Sequence, residues 1–171
     1  MPKSKSTSDL SKESQLSRAD TQSIWMHILK YELKKKNISK EQYCALISKD
    51  WNKVREILPG CLNSSYKASQ GSGSAKGVPV MSWKSSNYRP HRIACKIGPW
   101  SRRFPETAIR KEASHRCHNS LCCNPWHLVY EKSKVNRSRY CCEIFETTGY
   151  FCPHTPYCLN CTALNPDDQS P

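Results

Sequence analysis

The chain contains no run of about 18 apolar residues, so it has no segment suited to crossing a membrane as a helix. No apolar segment follows Met1-Pro2-Lys3-Ser4-Lys5-Ser6 either. The missing leader predicts a chain that stays inside the cell. Only three Phe and three Met are present, and 37% of the 171 residues are hydrophobic. A core that thin needs cross-links to stand. No internal repeat is evident. Lys and Arg are absent from residues 141–171, which carry four acidic residues. Acidic residues are in turn scarce in the middle of the chain. Residues 71–140 hold 14 basic and 3 acidic side chains, against 13 and 7 in residues 1–70. A formal charge of +13 concentrated in this way predicts a polyanionic partner, with nucleic acid the leading candidate. A merely soluble basic protein is the plainer alternative.

The cross-links come from eleven cysteines. Disulfides need an oxidising compartment, which the missing leader argues against. The odd count, and the four histidines interleaved with the cysteines, point to metal instead. Asn37, Asn63, Asn136 and Asn160 each begin an Asn-x-Ser/Thr triplet. In a chain kept inside the cell these carry no glycan.

Residues 1–19 read as a polar leader without periodicity. A helical segment follows over 20–58. Ile24, Trp25, Ile28, Leu29 and Leu33 have helical spacing, ending at Lys34-Lys35-Lys36-Asn37. Ser39 and Gln42 form a capping-box pattern that predicts one further helix through Cys44, Leu46, Ile47, Trp51, Val54 and Ile57, stopped by Pro59-Gly60. Residues 62–77 read as a loop. Val78–Trp83 reads as a strand, Lys84–Asn87 as a turn, and Tyr88-Arg89-Pro90 as the start of a return strand. His91–Ile97 reads as a short helix ended by Gly98-Pro99. Lys84, Arg89, Arg92, Lys96, Arg102 and Arg103 decorate this region. A two-stranded basic ribbon fits the DNA major groove and reads base edges there. A solvated hairpin is the alternative.

Two Cys/His frameworks follow. Cys117, Cys122 and His127 stand five residues apart and lack a fourth ligand. Cys44, Cys61, Cys95 and Cys123 are the candidates. Cys61 is preferred because Pro59-Gly60 makes the tight turn that presents a thiolate. The second framework takes Cys152, His154 and Cys158 with Cys141 or Cys142, and Cys161 as a possible substitute. Four protein ligands each make closed tetrahedral Zn²⁺ sites, which are structural.

Between the ligands sit His115 and Asn136, which neither framework requires. If Cys117 closes a strand pair and His127 begins a helix, zinc pins both and His115 can face Asn136. An imidazole titrating near neutrality suits a general base for water attacking a phosphodiester. An Asn side-chain oxygen suits Mg²⁺, a hard cation that the phosphate and waters also coordinate. Taken alone, each residue equally fits a structural place.

Ser114-His115-Arg116-Cys117-His118-Asn119-Ser120-Leu121-Cys122-Cys123-Asn124-Pro125-Trp126-His127-Leu128, with Asn136-Arg137-Ser138-Arg139-Tyr140 downstream, resembles the His-Cys box of homing endonucleases, within the wider ββα-metal (His-Me finger) nucleases. The resemblance covers roughly residues 60–158. It implies His115 as catalytic base and Asn136 as ligand to one catalytic Mg²⁺. It also implies a first structural zinc on Cys61, Cys117, Cys122 and His127, and a second on Cys142, Cys152, His154 and Cys158. A transition-state arginine belongs to such a site; Arg89 and Arg92 are the candidates, with Arg103 a third.

The resulting expectation is an α+β fold: a small zinc-stabilised ββα-metal nuclease core over residues 59–161, with a basic β-hairpin, an N-terminal helical extension and a C-terminal tail at 162–171. The activity implied is site-specific cleavage of double-stranded DNA leaving 3′ overhangs. The implied assembly is a homodimer on a long pseudo-palindromic site in nuclear ribosomal DNA, hence a nuclear location. A zinc-stabilised nucleic-acid-binding protein without catalysis is the alternative, and a zinc-scaffolded protein-interaction module a third. A pure binder needs neither His115 nor Asn136.

Overall fold

Ser17 sets the first boundary. Its hydroxyl oxygen accepts from the Asp20 N–H at 3.0 Å and caps α1 (Arg18–Lys34). The computed structural model describes Glu13 and residues 15–68, 77–105, 111–145 and 152–159. Residues 1–12 of the expected leader, the tail at 162–171, the alternative ligand Cys161 and the Cys141 side chain lie outside what is described. The apolar stripe expected on α1 is buried: Ile24, Trp25, Ile28 and Leu29 are fully enclosed.

The capping box at Ser39 and Gln42 opens α2 (Lys40–Ser48) as expected. The single helix expected through Ile57 is two. Lys49 turns left-handed at φ 57°, and the Asp50 carboxylate accepts from the Lys53 N–H to start α3 (Trp51–Ile57). A left-handed residue ends a helix, and an Asp directly after it offers the backbone a new cap. The apolar spacing runs on across the break, which is why it does not show the break.

β1 (Met81–Trp83) and β2 (Ser86–Tyr88) pair antiparallel through a two-residue turn. Both turn residues, Lys84 and Ser85, have positive φ (45° and 61°), which matches the twist of a tight hairpin. The strand is shorter than the expected Val78–Trp83, because Pro79 bridges Ala68 instead and Val80 N–H donates to the Lys67 carbonyl. Pro90 begins α4 (Pro90–Ile97), where its missing N–H is not needed. Gly98 ends it, and only glycine fits: a Cβ there would stand 2.6 Å from the Pro125 carbonyl oxygen.

β3 (Lys111–His115) and β4 (Leu128–Lys132) pair antiparallel, with Lys111 opposite Lys132 and His115 opposite Leu128. α5 (Ser133–Phe145) follows directly. His127 was expected to begin a helix. Instead it closes a 3₁₀ turn (Pro125–His127) that leads into β4, and the helix starts six residues later. The Leu128-Val129-Tyr130 run, aromatic and β-branched, favours the strand.

One core joins these parts. Ile28 and Leu29 of α1, Leu46 of α2, Ile93 and Ala94 of α4 and Leu128 and Tyr130 of β4 belong to the same buried cluster. A smaller one stacks Trp100 against Trp126 and Val129. The fold is α+β, and among the described residues the two strand pairs are separate sheets.

Candidate metal centres and candidate active site

The first Cys/His framework closes as a cluster of Cys61, Cys117, Cys122 and His127, whose donor atoms all lie within 4.8 Å of one another. Of the four candidates for its last member, Cys61 is the one in place. Cys95 and Cys123 are buried in the apolar core, and Cys44 is an exposed helix residue. His127 Nδ1 stands 3.8 Å from Cys61 Sγ and 3.6 Å from Cys122 Sγ. Tetrahedral bonds of about 2.3 Å to sulfur and about 2.0 Å to nitrogen give donor–donor edges of roughly 3.5–3.8 Å. The donor set and its spacing therefore fit structural Zn²⁺. His127 Nε2–H donates to the Pro59 carbonyl at 3.1 Å, which leaves Nδ1 as the ligand atom. Hydrogen bonds from the Cys122 thiol hold the Cys117 and Cys61 thiols below their ordinary value, while the Cys122 thiol itself is pushed up. Thiolate character at Cys117 and Cys61 is what a metal site uses.

The second cluster holds Cys142, Cys152, His154 and Cys158. His154 Nδ1 lies 3.3 Å from Cys142 Sγ, 3.3 Å from Cys152 Sγ and 3.7 Å from Cys158 Sγ. Ser138 Oγ–H donates to the Val135 carbonyl, so the oxygen is left to accept from His154 Nε2–H at 2.8 Å. Nδ1 again faces the thiols. This cluster also fits structural zinc, and it ties the last turns of α5 to the segment at 152–158.

Between the clusters, His115 and Asn136 line one cavity of about 180 Å³ together with His118, Ser120, Arg139 and Tyr140. Neither residue belongs to a Cys/His cluster. His115 ends β3, and its Nε2 lies 3.1 Å from the Cys122 carbonyl oxygen. A carbonyl only accepts, so the proton sits on Nε2 and Nδ1 keeps its lone pair. Burial pulls the His115 imidazole below its ordinary value, against the opposing pull of Cys117 and the Cys122 carbonyl. The His91 ring from α4 stands 5.1 Å away. It too is held well below its ordinary value by burial, so it adds no positive charge beside His115.

Asn136 lies in the first turns of α5, and two strand residues fix its amide. Nδ2 donates to Glu112 at 2.7 Å, and Oδ1 accepts from Ser114 Oγ at 2.7 Å. Ser133 Oγ donates to the other Glu112 oxygen at 2.7 Å. Hydrogen bonds from Asn136 and Ser133 hold the Glu112 carboxyl below its ordinary value. Asn136 Oδ1, the Glu112 carboxylate and Ser114 Oγ form a set of hard oxygen donors, the kind Mg²⁺ prefers. Sequence reasoning did not single out Glu112, Ser114 or Ser133. Period-two alternation along β3 puts residues 112 and 114 on one face, the only signal that could have found them.

The six expected basic residues fall in three places. Lys84 caps the hairpin with its ammonium 4.3 Å over the Trp83 ring. Arg89 and Arg92 begin α4, where the Arg89 N–H donates to Glu13 at 3.1 Å and the Arg92 guanidinium lies 3.6 Å from the same carboxylate. The charge of Arg92 also reaches Glu112 and His91. Lys96, Arg102 and Arg103 line a separate cleft at the far end of α4.

Two buried arginines brace the site. Arg139 forms a two-point ion pair with Glu131 at 2.7 and 2.8 Å and donates to the Pro156 carbonyl and to Cys158 Sγ. Arg116 donates to the Tyr157 and Trp126 carbonyls and lies 4.6 Å over the Trp100 ring.

A family model described as the zinc-binding loop region of homing endonuclease matches residues 55–169, more than half of the chain. The match spans both Cys/His clusters, His115 and Asn136. No curated protein and no solved structure gives a significant match.

Proposed function

The chain belongs to the homing endonuclease family defined by that zinc-binding loop, and from this premise we propose a site-specific, Mg²⁺-dependent endonuclease that cuts both strands of DNA. One observation carries the reading: an imidazole with a free Nδ1 and an oriented carboxamide line one cavity, outside both zinc-type clusters.

His115 accepts a proton at Nδ1 from the attacking water, whose oxygen bonds to the scissile phosphorus as the bond to the 3′ oxygen breaks. The Cys122 carbonyl keeps the imidazole in the tautomer this requires. Asn136 would hold the divalent ion through Oδ1, with its amide fixed by Glu112. When bound, Mg²⁺ neutralises charge on the phosphate and on the leaving oxygen. Arg89 or Arg92 supplies the positive charge that steadies the transition state. The placement of Arg92, within electrostatic reach of Glu112, favours it.

A single chain carries one His115–Asn136 pair and so cuts one strand at a time. A homodimer on a pseudo-palindromic duplex, which the family resemblance implies, would bring one such pair to each strand. A 3′-overhang product and a nuclear location complete the proposal, resting on the family resemblance.

The test is plasmid cleavage by the full chain, titrated with Mg²⁺, on DNA that includes ribosomal genes. Discrete linear product is expected. His115→Ala should cut about 10²–10⁴-fold more slowly while retaining DNA binding and zinc. Binding without cutting across substrates and divalent metals would return the chain to the non-catalytic alternative.

A further inference from the structure

At the end of α4 remote from His115 lies a cleft of about 700 Å³ lined by five cationic side chains: Arg18, Lys49, Lys96, Arg102 and Arg103. No Asp or Glu lines it among the described residues. Its walls come from four places in the fold: the first turn of α1, the α2–α3 junction, the end of α4 and the segment after it. Arg18 and Lys49 lie outside the stretch that matches the endonuclease family, so the family relationship does not account for them.

Gathering like charges is costly unless an anion shares the space. The α2–α3 break places Lys49 there, because the chain turns left-handed at that residue. Burial and the nearby Arg18 and Arg102 guanidinium groups pull the Lys49 ammonium below its ordinary value. Lys96 lines the cleft while its ammonium donates to the Glu13 and Leu16 carbonyls at 2.8 and 3.0 Å, which fixes its position in the wall. Trp51, half-buried, adds a flat wall. This is an organised basic groove.

We infer that this cleft holds backbone phosphates of the same duplex that His115 cuts, several base steps from the scissile bond, so that the N-terminal helices are part of the DNA-binding surface. The inference rests on the proposed endonuclease reading. His91 at the start of α4 packs on His115, and Gly98 at its end lines the cleft. Seven residues of helix span about 10 Å, roughly three base steps at 3.4 Å each along one strand. A duplex lying along α4 would reach both. The cleft has donors and charge but no base-reading pattern, so its contribution to affinity is independent of sequence.

The experiment uses the full chain carrying His115→Ala, so that DNA stays intact, and a long duplex of arbitrary sequence. Affinity is measured across a salt titration, and the protected length by footprinting. Arg18→Ala with Lys49→Ala should weaken binding about 10-fold or more at low salt, reduce the salt slope by roughly 2, and shorten the footprint on one side of the protected region. A charge-matched control, Lys34→Ala with Lys40→Ala, removes exposed cations from the opposite ends of the same helices and should leave footprint length unchanged. Zinc content and melting should match across all variants. Equal losses in the two double variants, or an effect seen with double-stranded RNA and not with DNA, would overturn the inference while leaving the endonuclease reading in place. Failure of the His115→Ala parent to bind any duplex would instead overturn the reading beneath it.

Discussion

Glu112 and Ser114 together set which way the Asn136 amide turns. A carboxylate can only accept, so Nδ2 must turn toward it and Oδ1 is fixed on the other side. Without Glu112 only the Ser114 hydroxyl holds the amide, and a hydroxyl can donate to the oxygen or accept from the nitrogen, so the orientation is less firmly set. Glu112→Ala should therefore raise the Mg²⁺ concentration needed for half-maximal cleavage by about 10-fold or more, the worth of a hydrogen bond to a charged group. Glu112→Gln, whose side-chain oxygen still accepts, should recover most of it. Zinc content and DNA affinity read alongside would stay level, and a fall in either would show a structural role instead. Nothing in Lys111-Glu112-Ala113-Ser114-His115 marks Glu112 from sequence, because its partner is set by how β3 meets α5. That His115 and Asn136 share a cavity was expected from the family resemblance, since each residue taken alone equally fits a structural place. Arg139 was likewise hidden: a charged residue on a polar helix reads as solvated, yet it is buried against Glu131. Removing one partner of a buried pair strands the other, so Arg139→Met should destabilise the zinc-loaded protein by about 3–5 kcal/mol in denaturant unfolding.

α5 carries a residue of the candidate active site, a buried ion pair and a member of the second Cys/His cluster. Asn136 near its start, Arg139 in its middle and Cys142 near its end are each three residues apart, so each neighbours the next along the helix. The cluster around Cys142 anchors the last turns, the Arg139–Glu131 pair anchors the middle to β4, and Asn136 is thereby held against β3. Cys142→Ser should bring zinc from two ions to about one per chain and abolish cleavage, while the helical core at Leu29, Leu46 and Ile93 keeps its cooperative melt. Two retained zincs would show that Cys142 is not a ligand. The hairpin gives a contrasting test. Ser85 holds a left-handed conformation that costs a non-glycine residue roughly 1 kcal/mol, so Ser85→Gly should raise stability by up to that amount without altering cleavage. At this scale the sequence was readable where caps and prolines fix ends, as at Ser39 and Pro90. It misled where apolar spacing spans a break, as at Lys49, and where a zinc-type ligand, His127, opens a strand and not a helix.

The molecule as a whole balances buried charge against metal. Three thiolates and a neutral imidazole around Zn²⁺ leave each cluster with net negative charge. Two arginines, Arg116 and Arg139, are buried beside them. Burial pulls the Arg116 guanidinium down to about 10, still protonated at neutral pH, and Cys158 and Cys117 oppose that pull. Stripping zinc removes the tetrahedral ties and the compensation together, so chelation should unfold residues 59–159 cooperatively, with loss of near-UV dichroism. The long-range frame, in which α1 packs on α4 and α4 runs from the cavity to the basic cleft, could not be read from local pattern at all. It depends on which apolar faces meet, and many pairings satisfy the same periodicity. The proposed function depends on the separation of two duties, with closed clusters that hold and a cavity where His115 and Asn136 would act. Asn136→Ala tests that separation most directly when zinc content, duplex affinity and Mg²⁺-dependent plasmid cleavage are measured on one preparation. Two zinc ions per chain, unchanged binding and no cutting are expected; cutting that persists, or zinc lost with the amide, would overturn that separation.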